Sequence, residues 1–123
     1  MDVGAVIDRA QTCAMLRGGM SMGLSLAREE ESVWDADGAA LNTSLRTYKP
    51  LHIGEEPRYV VELVETPQED APYGARSYSE HGVIGMPAAL GNALSAAAGV
   101  PLNGLPLTPE RIFWAMDAKG ANG

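Results

Sequence analysis

Apolar and polar positions change rhythm along this chain. Met1 to Asp8 alternates like a short strand, and Gln11 to Glu31 then carries Ala14, Met15, Leu16, Met20, Met22, Leu24 and Leu26 in a helix-like run. Arg17 and Arg28 interrupt that run, so it does not read as a membrane span. Ser32 to Tyr48 reads as a hairpin, because Asp35-Ala36-Asp37-Gly38 ends in the strong Asp-Gly turn signal. Lys49 to Pro57 reads as a loop punctuated by Gly54 and two prolines. Arg58 to Glu65 is the clearest strand, with Tyr59, Val61 and Leu63 on one face and Val60, Glu62 and Val64 on the other. After a polar stretch from Thr66 to Tyr73, a small-residue helix runs from Val83 to Gly99, with Pro87 in its first turn. A last helix opens with Thr108 as its cap, Pro109 at the first position and Glu110 near the positive end. Its tail, Ala118 to Gly123, is expected to fray. The pattern predicts an α/β (α+β) fold: a small mixed sheet with two or three longer helices on one face, forming a single or partial domain over 1–123.

Three glycines inside the first helix need an explanation. Each interior glycine costs a helix about 1 kcal/mol against alanine. Gly18, Gly19 and Gly23 together therefore predict close approach of another backbone or of a bound cofactor.

Composition narrows the partners. The chain has 123 residues, enough for one modest core, and 46% of them are apolar. Its net charge of −7 disfavours nucleic acid and anionic membrane, which both call for a basic face. A single cysteine, Cys13, excludes an intrachain disulfide and fits a reducing, cytoplasmic setting. His52 and His81 are far apart and there is no cysteine pair, so no metal site of the chain's own is predicted. Asp35 and Asp37 mimic the start of a calcium loop, but the acidic ligand at its end is missing. No secretory pattern precedes the first strand, and the chain starts as though already inside a domain.

The stretch between the last strand and the small-residue helix carries the candidate chemistry. Ser79, Glu80 and His81 are the ingredients of a hydrolase triad, but adjacent side chains do not normally converge. Glu80 stands just before a helix, at its positive end, where free N–H groups favour an ionised carboxylate. Local chemistry leaves two roles open for it: a helix cap, or a base kept ionised.

A resemblance speaks to that choice. Gly74-Ala75-Arg76-Ser77-Tyr78-Ser79-Glu80, then Pro87-Ala88-Ala89-Leu90 and Leu105-Pro106-Leu107-Thr108-Pro109-Glu110-Arg111, resemble the C-terminal end of the molybdenum-binding subunit of molybdenum hydroxylases, the xanthine dehydrogenase and aldehyde oxidase family. Gly18, Gly19, Gly23 and Leu24 match a glycine-rich family helix, while the family's glutamine there falls on Met15. The resemblance covers nearly the whole chain but only the tail of a longer subunit, which suggests a split subunit or a fragment. It implies hydroxylation of an N-heterocycle or aldehyde carbon with oxygen from water. It also implies Glu80 as the general base, and Gly74, Ala75, Arg76, Gly18 and Gly19 beside a molybdenum–molybdopterin cofactor shared with the missing part of the subunit. FAD and iron–sulfur clusters are implied on partner subunits. The chain is not expected to act alone. The alternative is a non-catalytic interaction module that retains the fold. Ser77, Tyr78 and Ser79 depart from the family's usual Gly-x-Gly before the glutamate, adding bulk and hydroxyls.

Overall fold

The computed structural model describes residues 1–120. Two long helices dominate: α1, Arg9–Arg28, and α3, His81–Ala98. A single helical turn, α2, spans Leu45–Tyr48, and α4 spans Pro109–Gly120. Asp8 starts α1, its carboxylate accepting from Gln11 N at 3.0 Å. Thr108 starts α4 as the sequence suggests, with Arg111 N donating to its hydroxyl at 3.3 Å. Of the tail predicted to fray, Ala121–Gly123 lies outside the described residues.

Helix α1 packs on α3, and the glycines explain how closely. A Cβ added to Gly82 would lie 2.6 Å from Leu16 O and 3.0 Å from Met20 N. One added to Gly23 would lie 2.6 Å from Val83 O. Gly19 faces Gly82 and Val83 in the same way, at 3.2–3.4 Å. The two backbones are therefore in direct contact at Gly19 and Gly23, one of the two kinds of neighbour that the glycine cluster predicts; Gly18 takes no part in it. Pro87 has a part in this. It lies inside α3 rather than in its first turn, because the helix begins six residues earlier, at His81. Its missing N–H leaves Val83 O without an i,i+4 donor. That same carbonyl fills the space beside Gly23.

The core is thin. Val3, Leu16, Leu24, Ala27, Val100 and Leu107 are its buried hydrophobic residues. Leu107 N donates to Ala27 O at 2.6 Å, fastening the approach to α4 onto the end of α1. Ser25, buried in α1, accepts from Leu51 N at 2.7 Å and holds the 49–57 loop. Phe113 and Trp114 meet edge to face, with centroids 5.1 Å apart, and both remain 58% exposed.

The predicted mixed sheet is not there, and the α/β assignment gives way to a helical one. Among the described residues, strand pairing is limited to isolated bridges: Asp2 with Val64 in parallel, Gly4 with Ala75 and Trp34 with Ala40 antiparallel. Arg58 to Glu65 forms no strand ladder. Its side chains nonetheless alternate in burial, with Tyr59, Val61 and Leu63 half-buried and Val60, Glu62 and Val64 exposed. The residue pattern thus sets which face turns inward, but a ladder also needs a neighbour to accept and donate along its edge. Here Met1 and Val3 supply that neighbour only from Glu62 to Val64: the Met1 amino group donates to Glu62 O at 3.0 Å, Val64 N to Met1 O at 2.7 Å, and Val3 N to Val64 O at 3.0 Å. The predicted hairpin is shorter than expected for the same reason. Asp35 Oδ1 accepts from Asp37 N and Ala39 N, closing the turn, but the chain leaves the pairing after Leu41 and coils into α2.

Candidate functional site

Glu80 occupies the residue before α3. Its backbone carbonyl accepts from Val83 N and Ile84 N, both at 3.1 Å, so its main chain belongs to the helix start. Its side chain makes no capping bond. The carboxylate instead accepts from the Ser79 hydroxyl at 2.8 Å and is exposed. The Ser79 bond holds the Glu80 carboxyl below its ordinary range. Its own backbone N–H and the neighbouring His81 act in the same direction, against a smaller loss of hydration. The group is thus an ionised, accessible carboxylate that no cap consumes.

The loop before it is fixed at several points. Arg76 N donates to Val3 O at 3.1 Å, and Ala5 N donates to Gly74 O at 2.8 Å. Gly4 makes this approach possible: at φ +65°, a Cβ there would fall 2.6 Å from Gly74 O and 2.8 Å from Arg76 N. Arg76 also pairs with Asp2 at 3.4 Å. Further on, the Tyr78 hydroxyl lies 3.0 Å from the hydroxyl of Thr12, a buried residue of α1. Then His81 N donates to Tyr78 O at 3.3 Å.

The residues singled out from the sequence separate into three places. Gly74, Ala75 and Arg76 lie against the first residues of the chain. Gly19 lies against Gly82, two residues past Glu80. Gly18 meets nothing within 4 Å of an added Cβ and faces outward. It forms part of the wall of an open cleft of about 500 Å³ with Arg17, Ser21, Glu56, Arg58 and Tyr59. The Tyr59 hydroxyl is buried there without a hydrogen-bond partner. Arg17 and Arg58 bring two guanidinium groups to this cleft against one carboxylate, Glu56, which accepts from the Ser21 hydroxyl at 3.4 Å; the net positive lining fits an anionic ligand such as the phosphate arm of a pterin cofactor. Met15 is 55% exposed and offers no amide.

Sequence reasoning passed over Thr12, Gly4 and the tethering role of Tyr78. Thr12 had a signal: it shares the stripe Thr12, Leu16, Gly19, Gly23 and Ala27, whose spacing is one helix face and whose members are all buried. Gly4 and Tyr78 had none, because their partners are distant in sequence.

Comparison with known proteins addresses the family. The sequence model described as "Molybdopterin cofactor-binding domain" matches residues 1–57. The chain is 34% identical over 113 residues to the xanthine dehydrogenase molybdenum-binding subunit of Escherichia coli O157:H7, covering 91% of this chain and 15% of that protein. It is 33% identical over 117 residues to the gamma subunit of the 6-hydroxypseudooxynicotine dehydrogenase complex of Paenarthrobacter nicotinovorans, covering 91% of this chain and 14% of that protein. Among solved structures, quinoline 2-oxidoreductase from Pseudomonas putida 86 matches with a TM-score of 0.88 and 28% identity, over 94% of this chain and 15% of that one. The chain thus spans about one-seventh of the length of the curated relatives it matches. Sequence and shape agree along nearly all of the 123 residues, and the chain belongs to the molybdenum-binding subunit family of the molybdenum hydroxylases, corresponding to one segment of that subunit.

Proposed function

We propose that this chain is the part of a molybdenum hydroxylase that supplies the general base, Glu80. The reaction is hydroxylation of an N-heterocycle or aldehyde carbon with oxygen from water. The observation that carries the reading is the state of Glu80: exposed, accepting from Ser79 with its carboxyl held below the ordinary range, and free of any capping bond. A base must be unprotonated before it can accept a proton, and a carboxyl held below its ordinary range meets that condition across the neutral region. The accepted proton would reside on Glu80, opposite the oxygen held by Ser79. Glu80 is itself exposed, so that proton can pass directly to solvent.

Bound molybdopterin would supply the two-electron oxidation. Arg17 and Arg58, around the open face of Gly18, would hold its anionic arm. Gly19 would act indirectly, by allowing Gly82 and hence Glu80 to sit close to α1. Gly74, Ala75 and Arg76 would shape the loop that runs past the cofactor. The rest of the subunit would provide the remaining cofactor contacts, and iron–sulfur and flavin subunits would carry electrons away. A cytoplasmic complex is consistent with the single free thiol, Cys13. Among the described residues no helix is long and apolar enough to cross a membrane.

The test is to purify the chain with its native neighbours and measure molybdenum by mass spectrometry and pterin by fluorescence after oxidation. Metal and pterin retained together are expected, with both lost in an Arg17→Ala, Arg58→Ala double variant. A complex that lacks both would overturn the reading and leave an interaction module.

A further inference from the structure

We infer that Tyr78 is a positioning residue for Glu80, locking the base-bearing turn to α1 through the buried hydroxyl of Thr12. The inference rests on the reading of Glu80 as the base. Its geometric content does not. Thr12 Oγ1 donates to Asp8 O at 2.7 Å, and a carbonyl can only accept. The single Thr12 proton is thereby committed, so across the 3.0 Å contact Tyr78 donates and Thr12 accepts. The result is a directed chain, Tyr78 to Thr12 to Asp8, ending on the residue that caps α1.

The placement gives this chain its consequence. Thr12 and Leu16 stand one turn apart on α1, about 5.4 Å along its axis. Thr12 holds Tyr78, and Leu16 O lies against Gly82. Glu80 is the middle residue of that five-residue segment, so both ends of its turn are fixed to successive turns of one rigid helix. Between Arg76, held by Val3, and His81, held by the Tyr78 carbonyl, the Tyr78 ring is what ties a side chain to the core. Ser77 and Ser79 are exposed, and the Ser79 hydroxyl bonds forward to Glu80 itself. Without the Tyr78 hydroxyl the carboxylate keeps its Ser79 partner but loses its fixed location relative to α1.

The test uses the native assembled complex, with Tyr78→Phe, Thr12→Val, the double variant, and Thr12→Ser, which keeps the hydroxyl. Hydrogen exchange is followed over residues 78–84, and molybdenum content is measured. Turnover is assayed with hypoxanthine, quinoline and benzaldehyde as probes. Tyr78→Phe should speed exchange at His81 and Val83 about fivefold. It should lower kcat about 10- to 100-fold, with KM and metal content held within about twofold. Thr12→Val should do the same, the double variant should be no worse than either single one, and Thr12→Ser should match the parent. Exchange and kcat both unchanged in Tyr78→Phe, or additive effects in the double variant, would overturn the inference. So would a rise in KM alone. Glu80→Gln run beside them separates the two levels. If it spares turnover while Tyr78→Phe still loosens the turn, the base assignment has failed and Tyr78 is only a structural tether. If it abolishes turnover while Tyr78→Phe changes nothing, the base stands and the lock is wrong.

Discussion

The α1–α3 crossing and the flank formed by residues 1–5, 58–65 and 74–76 are built on opposite terms. At the crossing, backbone meets backbone, and Val83 O, which Pro87 leaves without an internal donor, lies beside Gly23. On the flank, a segment with a strand's alternating burial finds backbone partners only in its second half, from Glu62 to Val64. One region is finished by this chain alone. The other, among the described residues, is joined only by isolated bridges. Total accessible surface says the same: 8554 Å² for 13.0 kDa, where a compact monomer of that mass would expose about 6,300 Å².

The contrast is sharpest in what a methyl group does. Gly82→Ala should cost about 1–3 kcal/mol, because the new Cβ would press on Leu16 O and Met20 N, and a thermal melt would register it. Gly18→Ala, one residue from the crossing, meets open space and should stabilise α1 by as much as about 1 kcal/mol. Equal losses at both positions would remove the distinction. If Gly18→Ala stabilises the fold yet lowers molybdenum content in the assembled complex, the open side of Gly18 is a cofactor surface.

A second, smaller effect concerns the unfinished region. Val60 and Val64 on the flank, and Phe113, Trp114 and Met116 on α4, are all close to half exposed or more. Apolar surface of this extent seeks cover. The isolated chain should self-associate on light scattering and become soluble beside its partners. A clean monomer at high concentration would mean that the flank needs no completion.

The smallest expected effect is a pH shift. Ser79→Ala removes the bond that contributes most to lowering the Glu80 pKa, so that pKa should rise toward its ordinary 4.5. A base works only when deprotonated. The acid limb of the turnover profile should therefore move to higher pH in Ser79→Ala, with the rate near neutrality little changed. A shift in the other direction would contradict the assignment.

These comparisons also mark what was legible from residues. The caps and glycines were readable because their physics is local or periodic. Thr108-Pro109-Glu110 starts a helix wherever it stands, and Gly19 with Gly23 announces a close neighbour without naming it. The sheet was misread because alternation specifies a face but not a partner. The start of α3 lies at His81, two residues before the expected Val83, with Gly82 packed against α1; only the first-turn placement of Pro87 fails, since it stands inside the helix. Glu80 was readable as a carboxylate at a helix start. Whether its side chain would serve as a cap depended on Ser79 and on backbone angles that no spacing encodes. Tyr78 looked like an intrusion of bulk into a glycine loop until Thr12 gave its hydroxyl a destination.

The most direct test of the central claim is Glu80→Gln in the assembled complex. Glutamine keeps the size and can still accept from Ser79, but it cannot take up the proton. Turnover should fall about 10²- to 10⁴-fold, with melting temperature and molybdenum content nearly unchanged. A kcat near the parent value with a lowered melting temperature would instead make Glu80 a structural residue and contradict the account.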